Sequence, residues 1–162
     1  MLKVLVAASE ASPFAKTGGL ADVVGSLPAA LKGLDVDARI ILPKYGTIPS
    51  PWKERMVHKH TIFVPVGWKN QYCGIEQAEV NGMTCYFIDN ESYFKRESLY
   101  GYYDEAERFA FFCRAVLEAI PYLDFIPDIL HCHDWQTGMI PVLLEAQYRQ
   151  SAPYGKMATI FT

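Results

Sequence analysis

The segment from Ser9 to Gly19 holds the first residues in the sequence whose types and spacing suit anion binding. It ends in Lys16-Thr17-Gly18-Gly19, directly before a predicted helix. Glycines leave backbone N–H groups accessible, the start of a helix attracts negative charge, and a lysine adds a cation. This combination predicts a phosphate-binding loop, although the segment matches neither G-x-G-x-x-G nor G-x-x-x-x-G-K-[ST].

Spacing alone leaves a second interpretation of this segment open. An ordinary helix-entry turn with a solvated lysine has the same pattern. Asp22 would then lie in the first helical turn, where a carboxylate offsets the helix dipole by about 0.3–1 kcal/mol. The residue pattern by itself does not distinguish the two interpretations.

A second candidate is the run from His131 to Trp135, at the end of a predicted strand and the start of a predicted helix. His131 and His133 would point to the same face of the strand, so a pair of metal ligands is conceivable, but a site would need a third. Asp134 is placed either to cap the helix or to face a substrate. Both interpretations of Asp134 remain open from spacing.

A third candidate is the long loop from Asn90 to Tyr103, which is rich in aromatic rings and hydrogen-bond donors and includes Tyr100. Proteins often hold sugars with aromatic rings and polar edges, but the cores of ordinary loops have the same composition. The loop is therefore a weak indication when taken alone.

These candidates need a scaffold, and the hydrophobic pattern predicts an α/β fold. Lys3–Ala8 and Val36–Leu42 are near-continuous apolar runs of the kind found in buried parallel strands. Leu20–Lys32 between them has the spacing of an amphipathic helix, interrupted by Pro28. The three elements form a βαβ unit, which predicts a parallel sheet with Rossmann-like topology.

Between His60 and Asp89 the pattern changes to shorter β-rich runs. The predicted strands are Thr61–Trp68, Tyr72–Val80 and Met83–Ile88. Asn81-Gly82 predicts a tight hairpin between the last two. An antiparallel β segment is therefore expected to be inserted beside the parallel sheet.

The last third of the chain predicts two more helices and two more strands. Asp104 and Glu107 form a capping-box pattern before the apolar run Phe109–Ile120. The other predicted elements are the strand Asp128–Cys132, the helix Trp135–Tyr148 disturbed at Pro141, and the strand Lys156–Thr162. Because sites in α/β sheets lie beyond the carboxyl ends of the strands, a chain that stops on a strand is expected to be incomplete.

Composition supports one folded domain and argues against several classes of function. The chain has 162 residues, of which 51% are hydrophobic, with a formal net charge of −3 and a pI near 5.8. No excess of positive charge is available to bind nucleic acid or an anionic membrane. The apolar run Val4–Ala8 is too short for a signal peptide or a membrane span, and the scattered cysteines are expected to be free and mostly buried. These features predict a cytoplasmic protein.

Together the three candidate regions carry a family resemblance. The matching stretches are Val6–Pro28 with K-T-G-G-L-A-D-V, Tyr93–Gly101 with Arg108-Phe-Ala110, and His131–Gly138 with H-C-H-D-W. They resemble the N-terminal part of bacterial glycogen synthase and plant starch synthase, which are ADP-glucose-dependent glucosyltransferases of the GT-B architecture. The resemblance covers nearly the whole chain and implies that residues 1–162 are an incomplete N-terminal domain.

The resemblance also implies roles for individual residues. The residues implied to bind or support the diphosphate of ADP-glucose are Lys16, Thr17, Gly18, Gly19 and Asp22. The residues implied to line the glucose side are Tyr100, His133 and Asp134, and the last two are expected to be catalytic. For Asp134 the resemblance favours the substrate-facing interpretation, although one carboxylate can also cap.

The implied reaction is transfer of glucose from ADP-glucose to the non-reducing end of an α-1,4-glucan such as glycogen, with retention of configuration and without a metal or other cofactor. Negative charge builds on the departing diphosphate, so N–H donors and cations are the main requirement. In this family a His-Asn segment after the strand Lys156–Thr162 and a second, nucleotide-binding domain complete the site. Neither is present in the sequence, so the chain alone is expected to be inactive and to need a C-terminal domain as its partner.

Two alternatives remain open at this point. A GT-B glycosyltransferase with another donor or acceptor would share the scaffold but is not expected to carry K-T-G-G-L-A-D. A non-enzymatic, flavodoxin-like binding module would fit the composition and the long loop after the first strand. Saturable binding of ADP-glucose or a maltooligosaccharide would argue against that module.

We predict that no metal ion binds at His131 and His133, because only two imidazoles converge there and structural zinc takes four ligands. Elemental analysis of the purified protein is expected to find neither zinc nor manganese at stoichiometric levels. A chelator is expected to leave the melting temperature unchanged. Either metal retained at stoichiometric levels through purification would contradict this expectation.

Overall fold

A mixed sheet of seven strands forms the centre of the structure, a computed structural model that describes residues 1–162. The strands are β1 (Leu2–Ala7), β2 (Val36–Pro43), β3 (Val57–Val66), β4 (Lys69–Val80), β5 (Met83–Asp89), β6 (Ile129–Cys132) and β7 (Ala158–Phe161). Their order is β3-β4-β5-β2-β1-β6-β7. The five strands from β5 to β7 are parallel. At the other edge β4 pairs antiparallel with β5, and β3 pairs antiparallel with β4. The predicted α/β fold, a parallel sheet with an inserted antiparallel segment, is confirmed.

Five α-helices accompany the sheet: α1 (Gly19–Lys32), α2 (Ser50–Lys53), α3 (Glu91–Phe94), α4 (Glu105–Ala119) and α5 (Met139–Leu143). Helix α1 connects β1 to β2, and α4 connects β5 to β6 on the other side of β1. Because parallel crossovers are right-handed and these two run in opposite directions across the sheet, they cover opposite faces. No helix has the length and apolar character needed to cross a membrane.

Strand β1 is the most enclosed element of the sheet. Leu5, Val6 and Ala7 are completely buried, as expected for a central parallel strand that is covered on both faces. The near-continuous apolar run that predicted this strand reflects that double burial. The connection from β1 leads towards β2, whereas the connection from β6 leads towards β7, so a topological switch point lies between β1 and β6.

The hairpin between β4 and β5 turns at Asn81-Gly82, as predicted. Both residues have positive φ values, 51° for Asn81 and 73° for Gly82. Two consecutive left-handed residues are the requirement of a type I′ turn, which Asn-Gly satisfies with little strain. The turn sets the register of β4 against β5, with Val80 opposite Met83.

The predicted capping box at the start of α4 is wrong. The side chain of Asp104 makes no cap and instead accepts two hydrogen bonds of 2.7 Å from Arg96. Glu107 accepts from Lys69 at 2.6 Å and from Tyr93 at 2.5 Å. Both carboxylates thus bind groups from other segments, because a cation or phenol is a stronger partner than a backbone amide that water can solvate.

The predicted helix from Trp135 to Tyr148 is divided into three parts. A 3₁₀ turn over Trp135–Thr137 comes first, then α5, and then a π-helical turn over Leu144–Tyr148. Pro141 lies inside α5 and lacks the N–H that a regular helix would use there. Strand β7 also begins later than predicted, because Lys156 belongs to a 3₁₀ turn.

All four cysteines are buried and free, which confirms the expectation from their spacing. Burial raises the pKa of each thiol to about 12. The thiolate form is therefore disfavoured at neutral pH, and these side chains act as small apolar groups of the core.

The packing of α1 against the segment after β1 predicts a destabilising substitution. A Cβ at Gly25 would lie 2.7 Å from the backbone oxygen of Ser12, and the N–H of Ser12 already binds the carbonyl of Ala21 at 2.9 Å. Gly25→Ala must push α1 away, so it is expected to lower the free energy of unfolding by about 1–3 kcal/mol. Chemical denaturation measures the change.

Gly33→Ala is the matched control. Gly33 has right-handed helical φ and ψ values, and its nearest neighbour to a Cβ is at 3.4 Å, so alanine is expected to be tolerated or stabilising. Equal stability of Gly25→Ala and the wild type would contradict the close packing described here.

Candidate active site

The candidate site lies at the carboxyl ends of β1 and β6. The segment Ala8–Gly18 leaves β1 and ends where α1 begins. His133, directly after β6, donates its backbone N–H to the carbonyl of Ala7 at 3.0 Å. Ligands of open α/β sheets bind in the crevice at such a switch point. The fold therefore places the predicted phosphate loop beside the H-C-H-D segment.

Lys16 is held by Asp22 on the outer side of this loop. Its ammonium lies 2.7 and 2.8 Å from the two carboxylate oxygens of Asp22, which also accepts from the hydroxyl of Ser12 at 3.2 Å. Both charged side chains are more than half exposed, so the pair is a surface ion pair of modest energy. The hydrogen bond from Lys16 lowers the pKa of Asp22. Asp22 thus orients the ammonium of Lys16. The helix-dipole interpretation of Asp22 did not include this contact.

The carboxylate of Glu10 lies on the inner side of the same loop, and no role for it was predicted from the residue pattern. Its side chain accepts from the backbone N–H of Thr17 at 2.6 Å, from the hydroxyl of Thr17 at 2.6 Å and from the N–H of Gly18 at 3.4 Å. Glu10 is only 3% exposed. Burial by itself would raise the pKa of Glu10, but the hydrogen bonds from Thr17, Tyr100 and Gly18 outweigh it and lower the pKa.

Tyr100 joins the site through this carboxylate. Its hydroxyl donates to Glu10 at 2.8 Å and lies 2.7 Å from the hydroxyl of Ser9. Burial, together with the charges of Glu10 and Asp134, raises the pKa of Tyr100. The phenol is therefore neutral at physiological pH and works as a hydrogen-bonding group.

The loop that carries Tyr100 is anchored by a buried arginine. Arg108 on α4 is completely buried and donates to the carbonyls of Tyr93 and Leu99 at 2.7 and 2.9 Å. It also pairs with Glu105 at 2.7 Å. A buried guanidinium with carbonyl and carboxylate acceptors fixes the path of the chain that leads to Tyr100. The pattern of apolar residues in α4 gave no sign of this function.

His131 and His133 lie against each other at the end of β6. Their ring centroids are 4.1 Å apart and their planes are tilted by 33°. Nε2 of His131 lies 2.9 Å from the hydroxyl of Thr162, whereas Nε2 of the buried His133 has no partner within the protein. No group of three or more ligating side chains is arranged to hold a metal ion.

Asp134 has an unusual backbone conformation next to these rings. Its φ and ψ values are 63° and 174°, in a region that costs free energy for residues other than glycine. Its carboxylate accepts from the N–H of Trp135 at 2.7 Å, so Asp134 does cap the following 3₁₀ turn. The side chain is also exposed, which leaves it accessible to a ligand.

The structure thus brings the predicted site residues to one edge of the sheet. Lys16, Thr17, Gly18, Gly19 and Asp22 form the loop and the first turn of α1, and Glu10 connects this loop to Tyr100. His133 and Asp134 follow the neighbouring strand. The individual roles of these residues in binding and catalysis remain predictions. The one sign of Glu10 in the sequence is a carboxylate shortly after the apolar run Val4–Ala8, and that position alone does not reveal its contacts.

His133 is expected to titrate far below an ordinary histidine. Burial and then the neighbouring His131 lower the pKa of His133 from 6.5 to about 4. Between these two pH values the unfolded chain binds a proton that the folded chain does not, so the free energy of unfolding falls as the pH drops from 6.5 to 4. NMR titration should find the His133 ring neutral until the pH approaches 4.

Two variants separate this effect from general acid sensitivity. His133→Gln should remove this part of the pH dependence of stability, whereas His60→Gln, on the exposed end of β3, should leave it in place. A midpoint near 6.5 for His133 would contradict its burial as a neutral ring.

Comparison with known proteins shows the family. A family model described as "Starch synthase catalytic domain" matches residues 3–162. Glycogen synthases from Geobacillus thermodenitrificans and Caldicellulosiruptor saccharolyticus are each 58% identical over 161 residues, which cover 99% of this chain but 33% and 34% of those proteins. The catalytic domain of starch synthase IV from Arabidopsis thaliana, solved with ADP and acarbose, has a TM-score of 0.84 at 34% identity over 99% of this chain and 33% of its own. The chain spans about a third of the length of these relatives, and by the match along its length it belongs to the family of starch synthase catalytic domains.

Proposed function

We propose that residues 1–162 form the N-terminal part of a GT-B glucosyltransferase that makes glycogen or a related glucan. The reaction is transfer of glucose from ADP-glucose to the non-reducing end of an α-1,4-glucan, with retention of configuration. Membership of the starch synthase family supports this proposal. The structural relative from Arabidopsis was solved with ADP and acarbose. These ligands are consistent with a site for a nucleotide sugar and a site for a glucan.

One observation carries the proposal: three family motifs that are distant in sequence meet at the carboxyl ends of β1 and β6. Glu10 accepts hydrogen bonds from Thr17 of the K-T-G-G loop and from Tyr100, which is 90 residues away in sequence. His133 of the H-C-H-D segment donates its backbone N–H to Ala7, the last residue of β1. A sugar nucleotide bound across this edge contacts all three segments.

The residues divide between the two ends of the donor. Lys16 supplies a cation and Gly19, the first residue of α1, supplies an N–H that has no partner within the helix, so both can stabilise charge on the departing diphosphate. The exposed carboxylate of Asp134 offers an acceptor to sugar hydroxyls, and the neighbouring His133 has a buried Nε2 without a partner in the protein. No carboxylate pair of the glycosidase type and no cofactor is needed for this chemistry.

Charge explains why this domain needs a partner. Glu10, Asp22 and Asp134 are carboxylates, and Lys16 is the cation among the assigned residues. A diphosphate leaving group requires more positive charge than one lysine already paired with Asp22. We therefore propose that a C-terminal domain supplies further cations, closes the cleft and excludes water. A cytoplasmic location follows from this role in glucan synthesis.

Kinetics of a hybrid enzyme test the proposal. The chain replaces the matching third of the Geobacillus thermodenitrificans glycogen synthase, and glucose incorporation from ADP-glucose into glycogen is measured. The hybrid is expected to be active. Lys16→Ala is expected to weaken transition-state or donor binding by about 1–3 kcal/mol, seen as a higher KM for ADP-glucose or a lower kcat, with little change in the thermal melt.

Lys59→Ala is the control, since Lys59 is an exposed lysine on the far edge strand β3. Unchanged donor kinetics in Lys16→Ala would reduce Lys16 to a solvated loop residue. A folded hybrid with no activity would contradict the proposed function of the whole domain.

A further inference from the structure

Glu10 lies at the meeting point of the site without a role in the transfer described above. Oε1 accepts from the hydroxyls of Thr17 and Tyr100, and Oε2 accepts from the amides of Thr17 and Gly18. The carboxylate therefore connects the end of β1, the K-T-G-G loop and the loop before α4. Its exposure of 3% excludes water from most of these contacts.

No cation balances this buried carboxylate. Lys16 pairs with Asp22, and none of the ion pairs in the structure includes Glu10. A buried carboxylate without a cation is tolerated when several N–H and O–H donors surround it. The loop is thus folded around an anion that belongs to the protein itself.

The direction of the hydroxyl contacts follows from counting protons. Tyr100 has one O–H, which it donates to Glu10, so the hydroxyl of Ser9 donates to Tyr100. An ionised carboxylate can only accept. The two hydrogen bonds, from Ser9 to Tyr100 and from Tyr100 to Glu10, therefore fix the position of the phenol and point its O–H at Glu10.

We propose that Glu10 is a positioning residue that holds the Thr17-Gly18 turn and the hydroxyl of Tyr100 in one arrangement before any ligand binds. The identity of that ligand, ADP-glucose, rests on the proposed function. With the amides of Thr17 and Gly18 engaged by Glu10, the ammonium of Lys16 and the amide of Gly19 face an incoming diphosphate. A loop that is already fixed loses little conformational freedom on binding.

Glu10→Gln tests the proposal in the 162-residue chain. The variant keeps the size of the side chain but replaces one accepting oxygen by an NH₂ donor that faces another donor. Glu145→Gln is the matched control, because Glu145 is 70% exposed and pairs with Arg149 away from the site. Hydrogen exchange of the Thr17 and Gly18 amides is followed by NMR without ligand, and ADP-glucose affinity by calorimetry.

We expect exchange of both amides to be about tenfold faster or more in Glu10→Gln, and ADP-glucose affinity to fall by about tenfold or more. Neither quantity should change in Glu145→Gln. Unchanged exchange in Glu10→Gln overturns the proposal, and so does faster exchange with unaltered affinity. Faster exchange in a chain whose wild type binds no ADP-glucose supports the positioning role, and the activity of the hybrid enzyme then decides the proposed function.

Thr17→Val is the second variant, to be used if Glu10→Gln does not fold. It removes one donor to Glu10 and leaves the carboxylate and the charge of the chain in place. Faster exchange of the Gly18 amide is expected, and exchange equal to that of the wild type overturns the proposal.

Discussion

The burial of one carboxylate among neutral donors is the constraint on which the geometry of the candidate site depends. Glu10 follows a strand whose last four residues are buried, and it can remain ionised there because Thr17, Gly18 and Tyr100 donate to it. The loop after β1 must therefore fold back over Glu10, and the loop before α4 must bring Tyr100 to it. This folding turns the Lys16 side of the loop outward, where Asp22 orients the ammonium. The position of each candidate donor-binding group follows from that arrangement.

The elements that position the site were predictable where one local rule dominates. Strand β1 has a near-continuous apolar run, β2 ends in the apolar run Ile40–Leu42, and Asn81-Gly82 satisfies a turn that few other residue pairs can form. The H-C-H-D segment and the K-T-G-G loop were also correctly expected at strand ends. Their convergence followed from parallel topology, which places carboxyl ends at one edge of the sheet.

Local rules failed where a side chain found a partner far away in sequence. Asp104 and Glu107 match a capping box in sequence. In the structure Asp104 pairs with Arg96 and Glu107 pairs with Lys69, because charged partners bind a carboxylate more strongly than a solvated amide does. The contacts of Glu10 and Arg108 were not predicted for a related reason: they exist only after two loops have folded together. The short helices α2 and α3 have four residues each, too few for a periodic pattern. The assignment of roles to Lys16, Tyr100, His133 and Asp134 came from family resemblance, because spacing alone left each of them ambiguous.

The proposed function requires the edge formed by β1 and β6 to receive a sugar nucleotide. Mapping of backbone amide shifts in the 162-residue chain during titration with ADP-glucose tests this requirement. Saturable shifts are expected at Lys16–Gly19, around Tyr100 and at His131–Asp134. A different polar cavity of about 230 Å³, lined by Lys44, Lys53, Asp89 and Lys95, lies at the ends of β2 and β5. Shifts confined to that cavity, with none in the loop after β1, would contradict the proposed location of the donor site.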